Sequence, residues 1–155
     1  MAGYFLDSSA VAKLYHDEAG SEEMRRLFGA VENHFYLSRL GVIELQSVFA
    51  RKVLTGEIST DDVGVLRARF LNDLRQRSLR VTALTAVHYD AAERLVQEHG
   101  VRLRLRTLDA LQLAVALDLT GRGLASRFVT ADKTLCEVAQ ELRLSVWNPE
   151  GGLAP

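Results

Sequence analysis

At 155 residues and 48% hydrophobic composition, the chain fits one domain, residues 1–155, built around a single buried core. Nineteen Lys and Arg against twenty Asp and Glu leave a formal charge of -1, so net charge advertises neither a polyanionic partner nor a membrane. The one cysteine, Cys136, excludes an intrachain disulfide or a thiolate metal site and suits a reducing, cytoplasmic setting; no leader pattern opens the chain, and no apolar segment approaches the roughly 18 residues that cross a bilayer.

Gly3-Tyr4-Phe5-Leu6 is a short apolar run ended by Asp7-Ser8-Ser9, which predicts a buried strand and a helix-capping turn, with Ala10 to Tyr15 continuing as helix. A second helix is predicted over Ser21 to Phe28, and an aromatic-rich strand over Phe35 to Ser38. From Gly41 to Leu54, Val42, Leu45, Val48, Phe49 and Val53 recur at helical spacing before Thr55-Gly56 stops the run. Ser59-Thr60-Asp61-Asp62 then caps a long helix whose apolar face uses Val63, Leu66, Phe70 and Leu74. Val81 to Leu84 is strand-like and leads into a helix from Ala86 to Glu98, which Gly100 ends. Leu108 to Leu119 is strongly helical, Phe128 to Thr130 is a brief strand, Lys133 to Leu142 a helix and Leu144 to Trp147 the last strand. Glu150 to Pro155 reads as a loose tail. Short apolar strands alternating with amphipathic helices predict an α/β fold with a mainly parallel central sheet of about five short strands flanked by helices.

In an open parallel sheet, ligands bind beyond the carboxyl ends of the strands. Asp7 directly follows the first strand, and Asp132 follows Val129-Thr130 just ahead of a helix. Glu44 and Asp109 fall in the first turns of helices, which start at that same edge. Each acid alone also reads as a helix cap or a dipole partner; together they define a pocket of four carboxylates. Like charges so placed raise each other's pKa or demand a cation. Oxygen ligands without His or Cys fit Mg²⁺ or Mn²⁺, and the chemistry they favour is in-line hydrolysis of a phosphodiester. Ser8 and Thr130 are candidates to orient the carboxylates.

These residues resemble the PIN-domain nucleases, and within them the VapC-type toxins of toxin–antitoxin pairs. Leu6-Asp7-Ser8-Ser9-Ala10-Val11-Ala12-Lys13-Leu14-Tyr15 is similar to the family's opening motif, Val42-Ile43-Glu44-Leu45 to its second, and Arg106-Thr107-Leu108-Asp109-Ala110-Leu111-Gln112-Leu113-Ala114 to its third. Phe128-Val129-Thr130-Ala131-Asp132 is similar to the fourth, and Val146-Trp147-Asn148-Pro149 to the usual ending, so the likeness runs from about Tyr4 to Pro149. The resemblance implies a PIN-like three-layer fold and a Mg²⁺- or Mn²⁺-dependent endoribonuclease with Asp7, Glu44, Asp109 and Asp132 as metal and catalytic residues. It also implies a homodimer neutralised by a small VapB-type antitoxin. The third motif carries Gln112 where such toxins often have His, a change read as compatible with activity.

Candidate RNA contacts are fewer. In Val101-Arg102-Leu103-Arg104-Leu105-Arg106, basic and apolar residues alternate, so an extended segment would turn three guanidinium groups to one side, toward RNA phosphates; a solvated edge is the equal alternative. Lys13 reads first as a surface lysine and second as a phosphate contact. For association, Ile43, Leu54, Val65 and Leu71 lie outside the core-facing stripes of their helices, unless those helices are buried on two sides. A partner silencing four carboxylates is expected to insert an Arg. Two rivals fare poorly. A receiver-type signalling domain needs an acid after its third strand, where Ala83-Leu84-Thr85 has none, and an aspartyl phosphatase needs a second acid at Ser9. A PIN-like fold kept only for binding is the remaining alternative, which a metal-dependent RNA cleavage assay separates.

Overall fold

The computed structural model describes residues 2–151. Its five strands are β1 (Gly3–Leu6), β2 (His34–Ser38), β3 (Leu79–Thr82), β4 (Arg127–Val129) and β5 (Val146–Trp147). They form one sheet in the order β3-β2-β1-β4-β5, with every neighbouring pair parallel. Seven helices connect them: α1 (Ser8–Tyr15), α2 (Ser21–Phe28), α3 (Arg39–Leu54), α4 (Thr60–Arg75), α5 (Ala86–His99), α6 (Thr107–Gly121) and α7 (Lys133–Glu141).

Alternation along the strands divides the interior in two. Tyr4, Leu6, Phe35, Leu37 and Val129 face a core shared with α1 to α4, while Phe5, Tyr36 and Phe128 face one shared with α5 to α7. Both faces of the sheet are thus covered, which is why its strands are apolar throughout and the fold has three layers. The chain runs outward from β1 to β2 and β3, then returns to build β4 and β5 on the other side. The order of connection therefore reverses between β1 and β4, where the loops beyond the strand ends part and leave a crevice.

Three expectations shift. β3 is centred two residues earlier than Val81 to Leu84: buried Leu79 pairs with Phe35, whereas Val81 is exposed on this edge strand. The apolar run misleads because it mixes the end of the strand with the entry to α5. α3 begins at Arg39 rather than Gly41, because the Ser38 hydroxyl accepts from the Gly41 amide as an N-cap. The tail is anchored at its start, since Pro149–Gly151 forms a 3₁₀ turn and Glu150 pairs with Lys13; the rest of the expected loose tail, 152–155, lies outside the described residues. Among the described residues no helix is long and apolar enough to cross a membrane.

Candidate active site

Asp7 emerges from β1 as the N-cap of α1, with its amide still bonded to the Val129 carbonyl of β4 (2.9 Å). Its carboxylate is 5% exposed, and Oδ2 accepts from the Ser9 hydroxyl (2.7 Å), the Ser9 amide (3.3 Å) and the Thr130 hydroxyl (3.2 Å). Thr130, fully buried at the end of β4, accepts from the Asp132 amide (3.1 Å). Asp132 in turn caps α7 by accepting from the Leu135 amide (3.0 Å). Asp7 and Asp132 do cap their helices, and the cap geometry is what fixes each carboxylate at the sheet edge.

The Thr130 hydroxyl reaches Asp7, while Ser8 lines the groove and bears on Asp7 through its backbone. The N-cap side chain of a helix meets the amide of the second helical residue, which is Ser9, so the hydroxyl that steadies Asp7 is Ser9's. Only helix phase separates the two serines. Ser9 also accepts from the Ala131 amide (3.0 Å), tying α1 to the turn after β4.

Glu44 and Asp109 reach the crevice from α3 and α6. All four acids line one groove of about 880 Å³. Burial, opposed by the Ser9 and Thr130 hydrogen bonds, pushes the Asp7 carboxyl above its ordinary value. Burial and then repulsion from Asp7 and Asp109 push Glu44 up to about 7, against a hydrogen bond from Gln112. Asp109 is raised by burial and by Asp132 and Asp7, although Arg106 stands against it, Nε to Oδ2 3.3 Å. Among the described residues no three acids stand close enough to form a closed metal cage. The fit to a metal rests on donor chemistry instead: four carboxylates share a groove, burial makes Asp7, Glu44 and Asp109 less acidic, neighbouring carboxylates add to the rise at Glu44 and Asp109, and a hard divalent ion relieves such crowding.

The basic candidates fall out differently. Residues 101–106 form a turn rather than an extended segment, because Leu105 is buried and the Leu103 amide bonds back to the His99 carbonyl. Arg102 is drawn to Glu141 on α7, and Arg104 adopts a left-handed backbone (φ 55°). Neither lines the groove; Arg106, at the N-cap of α6, does. Lys13 is no surface lysine. Its side chain is 3% exposed, and Nζ is held by Glu18 (3.0 Å) and Glu150 (2.7 Å). Glu18 also binds Lys52 (3.0 Å), which pairs with Glu57 (3.0 Å), so a network of two lysines and three carboxylates lines the same groove as the acids.

Sequence reasoning passed over Gln112 as a working residue. It is fully buried, accepts from the Ser38 hydroxyl (2.8 Å) and donates from Nε2 to Glu44 Oε1. Its position three residues after Asp109, on the same face of α6, was the available signal.

The chain belongs to the PIN-domain family, whose model matches residues 4–141. Among solved structures it is similar to VapC20 of Mycobacterium tuberculosis, described as a sarcin-ricin loop cleaving toxin, with TM-score 0.64 and 19% identity over 86% of this chain and 93% of that one. FitAcB of Neisseria gonorrhoeae matches with TM-score 0.66 and 16% identity, covering 94% of this chain and 97% of that one. VapBC2 of Rickettsia felis, bound to a DNA fragment from its promoter, matches with TM-score 0.64 and 14% identity, covering 94% and 98%. At these identities the likeness speaks for the fold. Among curated proteins, none matches the sequence significantly.

Proposed function

We propose that this chain is a metal-dependent endoribonuclease, a hydrolase of RNA phosphodiester bonds that acts in the cytoplasm as the toxin of a VapBC-type pair. The observation that carries the reading is the gathering of Asp7, Glu44, Asp109 and Asp132 in one groove at the β1/β4 crossover, three of them with raised pKa values. Such a cluster is unfavourable for stability alone, and perturbed carboxylates in a cleft are a mark of function.

The four carboxylates would hold Mg²⁺ or Mn²⁺, which when bound supplies Lewis acidity toward a phosphate and a more acidic water. The chain's own part is orientation. Ser9 and Thr130 fix Asp7, the α7 N-terminus fixes Asp132, and Gln112 fixes Glu44. Arg106, whose side chain is 79% exposed beside Asp109, supplies a guanidinium to an RNA phosphate at the groove mouth. In hydrolysis the oxygen of water joins phosphorus, a P–O ester bond breaks, and a proton passes to the leaving oxygen.

The toxin assignment draws on the motifs and on fold relatives that include a VapC toxin and a VapBC assembly. For a homodimer, Ile43, Leu54, Val65 and Leu71 are 58%, 87%, 60% and 47% exposed, more apolar surface than these helices need for their own core. A VapB-type antitoxin would silence the groove by setting an Arg among the acids.

The test is cleavage of total RNA by purified protein. Activity is expected to stop with a chelator and return with Mg²⁺ or Mn²⁺, while Ca²⁺ supports it poorly. Undiminished cleavage in excess chelator would refute the metal mechanism, and no cleavage with any metal would favour the binding-only fold. Toxicity that the neighbouring gene's product does not relieve, in a protein that runs as a monomer at micromolar concentration, would remove the toxin reading.

A further inference from the structure

Gln112 lies on α6 three residues beyond Asp109, and Glu44 lies on α3, so the two acids approach the groove from separate helices. The amide of Gln112 joins those helices. Its orientation is set by neighbours and not by chance. The Gly41 amide donates to Ser38 Oγ (2.8 Å), which occupies a lone pair there and leaves the hydroxyl proton to be donated onward. That proton goes to Gln112 Oε1 at 2.8 Å. The carbonyl end of the amide is thereby taken, and the NH₂ end faces Glu44 Oε1. Gly41 leaves room beside this chain of bonds: a Cβ there would stand 2.5 Å from Leu37 Cδ1 and 3.3 Å from Ser38 Oγ, so the Leu37 side chain would have to shift.

We propose that Gln112 is a positioning residue for the metal site: with Ser38 locking its amide, it holds Glu44 with one oxygen bound and the other available to a divalent ion, in register with Asp109. The proposal rests on the metal-dependent reading above. A polar side chain that is fully buried needs partners, and packing alone would have been met by Leu or Met. Gln112 instead spends both ends of its amide on one line from an N-cap to an acid. A neutral donor also has an advantage over a cation here. It steadies a carboxylate without neutralising it, so Glu44 keeps the charge that a metal requires.

The test uses Gln112→Met, which retains volume and loses the hydrogen bonds, and Gln112→Asn, which retains the amide one methylene short of Glu44. Mn²⁺ alone is the probe, its affinity read by electron paramagnetic resonance on the intact protein. Both variants are expected to bind Mn²⁺ about tenfold or more weakly than wild type, the usual consequence of losing an outer partner of a metal ligand. A Glu44→Gln background separates positioning from packing. There, Gln112→Met should change Mn²⁺ affinity by no more than about twofold, because the group it acts through is already gone. Wild-type affinity in either folded Gln112 variant, or an equal loss in the Glu44→Gln background, overturns the proposal while leaving the nuclease reading intact. A wild-type protein that neither binds Mn²⁺ nor cleaves RNA overturns both.

Discussion

Glu44 and Glu18 line the same groove, both partly withdrawn from water, and their acidities move in opposite directions. Glu44 has Asp7 and Asp109 for neighbours and is pushed up to about 7. For Glu18 burial also raises the pKa, but hydrogen bonds from Lys52 and Lys13 outweigh it and hold the carboxyl below its ordinary range. Glu18 has two lysines on its carboxylate, whereas among the four acids that include Glu44 the cation in contact is Arg106, on Asp109. The same residue type thus serves as a fastening at one place and as a strained acid at another, and the cations within reach, more than identity of residue, separate them.

The comparison breaks most visibly in activity. Asp7→Asn should lower RNA cleavage by more than the roughly 100-fold that loss of an outer partner can cost, with circular dichroism unchanged, and Asp109→Asn, Glu44→Gln and Asp132→Asn should follow. Wild-type rates in two of these would dissolve the distinction between the regions.

The lysine network should fail in stability instead. Lys13→Met removes the buried cation that Glu18 and Glu150 share, leaving Glu18 with Lys52 alone among the lysines of the network, and should cost about 1–3 kcal/mol, seen as a lower denaturant midpoint at constant slope. Cleavage per folded molecule should survive it. An unchanged midpoint would mean that the network contributes no fastening.

Glu44 sharpens the contrast through pH. Its folded pKa lies above the ordinary 4.5, so the stabilisation from its protonated form is fully present below about pH 4.5 and is lost as pH rises through about 7. Metal-free wild type should therefore lose thermal stability across that window, and Glu44→Gln should lose less. Equal slopes of melting temperature against pH would refute the assignment of strain to Glu44.

The smallest effects belong to the arginines. Arg106→Ala should raise KM several-fold, whereas Arg102→Ala, at an exposed pair with Glu141, should leave cleavage unchanged and stability within about 0.5 kcal/mol. Equal defects in both would restore the phosphate track that the turn at 101–106 rules out.

The convergence of Asp7, Asp109 and Asp132 was legible in the sequence because helix starts after parallel strands share an edge; Glu44 joins them from the second turn of α3, not the first turn expected, because the Ser38 cap starts that helix at Arg39. Ser9 was not, because choosing it over Ser8 requires the phase of α1. Gln112 was hidden for another reason: its worth depends on α6 facing α3, a tertiary fact. Lys13 was misjudged since one of the two carboxylates that hold it, on Glu150, lies 137 positions away. At Arg102 to Arg106 the alternating pattern imitated a strand, while burial of Leu105 favoured a turn. Patterns of period revealed the frame; partners distant in the chain did not show in them.

The pairing of β1 with β4 also sets an order in time. Asp7 and the Thr130 that steadies it are 123 positions apart, and a polypeptide is made from its N-terminal end. A nascent or prematurely ended chain holding only β1, β2 and β3 leaves β1 with an open edge and contains neither Thr130 nor Asp132. On the proposed reading the cutting site is assembled last, since such a partial chain also lacks Asp109 and so carries only Asp7 and Glu44 of the four acids.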